Sequence, residues 1–176
     1  MKILIKNGIC IDGNGNPPVR TDVLLCGDTI EALGNGIKAD AEVIDAAGMY
    51  ITPGFIDIHR HADSRPIVDG RFGEIENLQG ITTVVSGNCG LASVPINPNG
   101  SNMQDMVDFL QPCLGILGRN AVFNDYKEYR EAISRSVLSV NFGFLVGTGA
   151  VKAAIKGFSR SAFSKEEMRL AQALIN

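Results

Sequence analysis

The chain holds two histidines, and both lie at the end of one stretch, Tyr50–His61 (YITPGFIDIHRH). An apolar segment runs into Pro53-Gly54, continues through Phe55-Ile56-Asp57-Ile58, and ends in His59-Arg60-His61. On a strand, residues i and i+2 point to the same face. Both imidazoles therefore project the same way, and two neutral imidazoles on one face make half of a metal site. The near-continuous apolar run over Met49–Ile58 predicts a strand of a parallel sheet, buried on both faces. In parallel α/β folds, ligands bind at the carboxyl ends of the strands, which is where this pattern puts the histidines.

The residues that follow alternate between strand and helix signals. A helix is expected over Ile67–Gln79, weakened by its glycines and stopped at Gly80. Ile81-Thr82-Thr83-Val84-Val85-Ser86 is a β-branched strand leading into Gly87-Asn88-Cys89-Gly90. Residues 91–124 are rich in Pro, Asn and Gly and read as a binding loop or lid with one short amphipathic helix, Met103–Leu110. A helix over Asn124–Ser136 carries Tyr126, Tyr129 and Ile133 at helical spacing. Val140–Val146 is a third parallel-type strand, ending at Gly147-Thr148-Gly149. Ser164 and Glu167 form a capping box opening a helix over Glu166–Ile175. The order βαβ-loop-αβ-α predicts parallel strands joined by crossovers.

Before residue 50 the signals are those of a small antiparallel β module. Lys2–Lys6 alternates as a half-buried strand does, Asn7-Gly8 reads as a hairpin turn, and Ile9–Ile11 as the return strand. Further short strands are expected at Thr21–Cys26, Thr29–Leu33 and Ala41–Asp45. The predicted organisation is a β module over residues 1–49 and an α/β unit over 50–176.

Composition narrows the function classes. With 45% hydrophobic and 20% charged residues the chain is core-forming, not disordered. A net charge of −3 leaves no basic field for nucleic acid and no polybasic membrane patch. No apolar run approaches the roughly 20 residues needed to cross a bilayer, and the start lacks the apolar core of a signal peptide. A cytoplasmic location is the expectation. The four cysteines form no CxxC pair, so reduced thiols are expected, with one or more available as metal ligands.

Four further positions bear on the chemistry. Cys89 follows the second parallel strand, on the same sheet edge as the histidines. It is either a buried small apolar residue or a thiolate that ligates zinc. Asp63 is either a carboxylate orienting a ligand imidazole or a solvated loop residue. Asp57 shares the face of His59 and His61 and is either a partner of the site or a carboxylate of the strand's polar layer. Arg60 points away from the pair and is read as either a residue that backs up the ligands or a structural one. Gly147–Lys152 fails the phosphate-loop pattern GxxxxGK[ST], so no nucleotide site is expected, although Thr148 and neighbouring amides are placed to line a pocket. Cys10, Cys26 and Cys113 are read as structural.

Three segments carry a family resemblance: LIKNGICIDGNGNPPVRTDVLLCGDTIEALG, VIDAAGMYITPGFIDIHRHAD and GITTVVSGNCGLASVPI. Together they resemble the N-acyl-D-amino-acid deacylases (D-aminoacylases) of the amidohydrolase superfamily. PGFIDxHxH alone marks the superfamily; the GITTVVSGNCG segment is specific to the deacylase branch. The resemblance implies a (β/α)8 TIM-type barrel preceded by part of a composite β-sandwich. It implies zinc as cofactor, with His59 and His61 on the more weakly held metal. Cys89 would ligate the tightly bound zinc and be available to bridge the two. The implied reaction is zinc-assisted hydrolysis of a small N-acyl-D-amino acid to a D-amino acid and a carboxylate.

In that family two further histidines and a general-base aspartate come from later barrel strands. Neither a third histidine nor more than three barrel-strand candidates is present here, against eight in a barrel. The chain therefore reads as an amino-terminal portion, with no catalytic residue of its own and no activity alone. Two other readings remain open: a cyclic-amide hydrolase of the dihydroorotase or hydantoinase type, against which Cys89 argues, and a non-catalytic metal-binding or assembly fragment that self-associates through exposed sheet edges.

Overall fold

The structure, a computed structural model, describes residues 1–95, 103–114 and 123–175. The chain divides into two compact units, Met1–Pro53 and Gly54–Asn176.

The first unit is one five-stranded sheet. Strand β1 (Lys2–Cys10) lies at its centre, with β2 (Val19–Cys26) antiparallel on one side and β3 (Thr29–Gly34) antiparallel beyond it. On the other side β4 (Glu42–Asp45) and β5 (Tyr50–Ile51) both pair with β1 in parallel. The sheet is thus mixed, where an antiparallel module was expected. Leu4, Val23, Leu24 and Ala46 are its buried apolar residues.

Asn7-Gly8 is not a hairpin. The strand runs straight through it as a bulge: Ile5 pairs with Val23, Gly8 with Thr21, and Asp22 alone stands opposite Lys6 and Asn7. Asn7 is left-handed (φ 64°), and its amide donates to Asp22 Oδ1 at 3.0 Å while its side-chain amide donates to Asp45 Oδ1 at 2.9 Å. At Gly8 a β-carbon would stand 2.4 Å from Ile51 Cδ1, so glycine is needed for the close approach of β5. Distant partners, not the local dipeptide, decide this turn.

The expected strand Met49–Ile58 is broken. β5 joins the first sheet, and β6 (Phe55–Asp57) begins a second one. Pro53 between them has no N–H to give to a ladder, and at Gly54 a β-carbon would stand 2.0 Å from Thr82 Oγ1. The break between the compact units accordingly falls after Pro53. Nor is β6 buried on both faces: Phe55 and Ile56 are 58% and 62% exposed.

The second unit is a three-stranded parallel sheet ordered β6-β7-β8, with β7 Ile81–Ser86 and β8 Asn141–Phe144. Between β6 and β7 the expected single helix is two short ones, α1 (Arg65–Val68) and α2 (Glu74–Leu78), with Gly70 and Gly73 in the gap. Between β7 and β8 come α3 (Met103–Leu114) and α4 (Tyr126–Ser134), the latter capped by Asp125, which accepts the Glu128 amide at 2.8 Å. The remaining parts of the expected binding loop, 96–102 and 115–122, lie outside the described residues.

After β8 stands a helix that the sequence reading did not anticipate, α5 (Thr148–Lys156), followed by α6 (Lys165–Ile175). The Ala150, Ala153 and Ala154 face of α5 is buried, and Ala150 and Ala153 pack with Leu91, Met106 and Leu110. A second cluster joins Ala62, Phe72, Val84 and Val140. Three parallel strands with these crossovers match the opening of the (β/α)8 barrel that the resemblance implies, which takes eight strands to close. Among the described residues no helix is long and apolar enough to cross a membrane.

Candidate metal centre

The histidines lie just past the strand, not on it: β6 ends at Asp57. Their convergence is therefore a property of the loop, and the loop is held by four separate contacts. Asp57 Oδ1 accepts the His59 amide at 3.2 Å. The Arg60 amide donates to Val85 O at 3.1 Å, at the end of β7. The Ala62 amide donates to the buried Ser86 Oγ at 3.2 Å. Tyr129 of α4 donates its hydroxyl to Asp63 O at 2.6 Å. The Arg60 side chain turns to Glu76 and Asp57, as a loop-supporting residue would.

Cys89 lies in a 3-10 turn, Asn88–Gly90, directly after β7. Its own backbone is left-handed (φ 57°), between Gly87 (φ 80°) and Gly90 (φ 78°). A non-glycine residue rarely adopts this conformation, and strain of this kind concentrates at functional sites.

The two loops bring the donors together. His59 Nε2 is 3.3 Å from Cys89 Sγ. The His59 and His61 rings stand edge to face, with centroids 5.5 Å apart. One ligand atom from each of His59, His61 and Cys89 lies within 4.8 Å of the others. A tetrahedral zinc, with Zn–S about 2.3 Å and Zn–N about 2.0 Å, sets its ligand atoms roughly 3.3–3.6 Å apart. The donor set therefore fits zinc in kind and, with a small closure, in spacing. In addition, the buried His61 Nδ1 has no hydrogen-bond partner among the described residues, which a buried polar atom ordinarily has.

Asp63 is only 1% exposed, so it is not a solvated loop aspartate. Burial raises its carboxyl pKa to about 6, against the opposing pull of hydrogen bonds from its own amide and that of Gly87. Its Oδ2 is buried without a partner among the described residues. Burial also pushes the Tyr126 hydroxyl up to about 12, aided by the Asp63 charge, and raises Tyr129 further. Asp57 is spent on the His59 amide and on Arg60, whose guanidinium lies 3.6 Å away, and does not join the three donors.

A cavity of about 390 Å³ opens beside His61, lined also by Arg60, Arg65, Arg71, Phe72 and Cys113. Thr148 abuts the Cys89 loop: a β-carbon at Gly90 would stand 3.6 Å from its hydroxyl. All four cysteines are free thiols. Sequence reasoning did not single out Ser86, Asn88 or Tyr129 as parts of the site. Only the place of Ser86 and Asn88 at the end of a parallel strand hinted at it.

No family model matches the chain. D-aminoacylase of Alcaligenes xylosoxydans xylosoxydans is 32% identical over 168 residues, covering 94% of this chain and 33% of the relative. A solved D-aminoacylase described for its binuclear metal centre superimposes with a TM-score of 0.82 at 31% identity, over 98% of this chain and 35% of that one. N-acyl-D-glutamate deacylase from Bordetella bronchiseptica, solved with zinc and a phosphonate inhibitor, gives a TM-score of 0.78 at 29% identity, over 98% and 35%. The chain thus spans about a third of the length of these relatives. Over that third, in sequence and in backbone, the chain is similar to the N-acyl-D-amino-acid deacylases (D-aminoacylases) of the amidohydrolases.

Proposed function

We propose that His59, His61 and Cys89 hold zinc in a hydrolase that releases a D-amino acid and a carboxylate from an N-acyl-D-amino acid. The observation that carries the reading is the convergence of the three donors within 4.8 Å from two separate loops. Two imidazoles and a thiolate are a zinc set. Held by these three residues, zinc would supply a Lewis acid for the amide carbonyl and would lower the pKa of bound water.

The chain's own residues bind and orient. His59 and Cys89 are set by backbone contacts that leave their side chains exposed to a ligand. Among the described residues, His61 Nδ1 and Asp63 Oδ2 are buried without a partner. Asp63 is the carboxylate assigned to orient the ligand imidazoles. The first unit serves as the β module of the enzyme and the second as the opening part of its barrel. Among the described residues none is assigned as general base, and the role proposed for them is to bind and present the metal.

The test is an assay of N-acetyl-D- and N-acetyl-L-amino acids. It uses the longest protein encoded by the reading frame that contains these residues, with the 176-residue chain alongside. The former is expected to release D-amino acids with zinc and to lose this in Cys89→Ala; the latter is expected to bind zinc and release nothing. Hydrolysis confined to L-substrates, or indifferent to zinc, would contradict the reading.

A further inference from the structure

The loop that carries Cys89 and the loop that carries the two histidines meet at one side chain. The half-buried Asn88 donates from Nδ2 to Val85 O at 2.9 Å and to Arg60 O at 3.4 Å. Arg60 is the residue between the histidines. Its amide in turn donates to the same Val85 carbonyl, at 3.1 Å. The three groups close a small ring of hydrogen bonds around the peptide that joins His59 to His61.

The next residue along is Cys89, held in a left-handed backbone that a cysteine does not adopt unassisted. The Leu91 amide closes the turn onto Asn88 O at 2.9 Å. Behind it, Gly90 packs so close to the start of α5 that a β-carbon on Gly149 would stand 2.7 Å from Gly90 O. The main chain of Asn88 thus fixes the thiol, and its side chain fixes the histidine loop. Two carbonyls on different segments need two donated protons from one short arm, which a primary amide has; aspartate has none and serine one.

We infer that Asn88 is a positioning residue that sets the spacing between the histidine pair and Cys89, and through it the affinity of the metal site. This rests on the reading that His59, His61 and Cys89 bind a metal. Its effect is exerted on the ligands and not on the metal, so it is distinct from the role of the three donors.

The test is titration of the full chain with cobalt(II), following the thiolate-to-cobalt charge-transfer band. Wild type is expected to develop a band that Cys89→Ala lacks. Asn88→Asp, equal in shape but without the donors, is expected to keep the band and to need about 10–100 times more cobalt, the usual cost of removing a residue that orients ligands. Asn88→Ala is expected to behave alike. Asn88→Ser, uncharged and with one donor left, covers the case in which the carboxylate prevents folding, and is expected to lose less than Asn88→Ala. Glu167→Ala, at the start of α6, controls for general destabilisation: it should melt lower and bind cobalt as wild type does. Asn88 variants that bind within twofold of wild type would overturn the inference while leaving the metal site standing. A wild type with no Cys89-dependent band would instead remove the metal reading, and the inference with it.

Discussion

His59 Nε2 and Cys89 Sγ stand 3.3 Å apart although 30 residues separate them in the chain. Neither residue is on a strand; each sits in a loop at the carboxyl end of one, and β6 and β7 are parallel neighbours. Parallel pairing puts both loops on one edge of the sheet, and the hydrogen bonds of Arg60 and Asn88 set the remaining distance.

That distance predicts a selective protection. Cys89 and Cys113 are both exposed free thiols, but among the described residues Cys89 alone joins the histidines. With zinc present, alkylation of Cys89 by iodoacetamide should slow by about tenfold or more, since a metal-bound thiolate is a poor nucleophile, while Cys113 reacts at its former rate. Peptide mass spectrometry after timed quenching reads both sites in one sample. Equal slowing of the two would count against a site at Cys89.

The turn that presents Cys89 depends on Gly87. Its φ is +80°, and a β-carbon there would stand 2.2 Å from Leu145 O. Gly15 has nearly the same φ, +82°, with nothing within 4 Å. Gly15→Ala should cost only the left-handed backbone penalty, about 1 kcal/mol. Gly87→Ala adds the collision with main chain and should cost at least about 2 kcal/mol more. Urea denaturation of the two variants makes the comparison, and similar losses would show that the loop yields.

Much of the second unit was legible in the sequence because its signals are local. The β-branched run Ile81–Ser86 is β7 to the residue. The capping box is realised in both directions, Glu167 amide to Ser164 Oγ at 3.2 Å and Ser164 amide to Glu167 Oε2 at 2.7 Å. What escaped was decided at long range. Asn7-Gly8 makes a bulge because β4 and β5 pair with the two halves of β1. The run Met49–Ile58 divides between two sheets at Pro53. Helix α5 was hidden because Gly147-Thr148-Gly149 reads as a loop until its alanine face meets α3. At the site, the ligand residue types were visible but their supports were not: Ser86, Asn88 and Tyr129 act through contacts with residues 24, 28 and 66 positions away.

Asp22 is a buried carboxylate in the first unit. The amides of Asn7, Gly36 and Ile37 donate to it at 3.0, 2.9 and 3.3 Å. The Asn7 bond first, then those of Gly36 and Ile37, hold its pKa below the ordinary value despite the cost of burial. A carboxyl with a depressed folded pKa stabilises above its unfolded value, about 3.9, and loses that contribution as pH falls through the lower folded value. Asp22→Asn should therefore melt below wild type at neutral pH, with the gap narrowing under acid. The check is a series of thermal melts from neutral to acid pH; a gap that stays constant or widens would contradict it.

Tyr129 ties α4 to the loop after the histidines through the 2.6 Å bond from its hydroxyl to Asp63 O. Tyr129→Phe keeps the ring contacts with Phe123 and Phe144 and leaves a buried carbonyl unsatisfied. The expected loss is about 1–3 kcal/mol of stability. Denaturant midpoints of the two proteins settle it, with no change in midpoint as the contrary result.

Zinc content after equilibrium dialysis, read by plasma mass spectrometry on wild type and on Cys89→Ala, His59→Ala and His61→Ala, tests the metal centre most directly. The three donors predict zinc on the wild-type chain, and its loss from each variant under the same dialysis. Retention of zinc by all three variants at the wild-type level would contradict a site built on His59, His61 and Cys89.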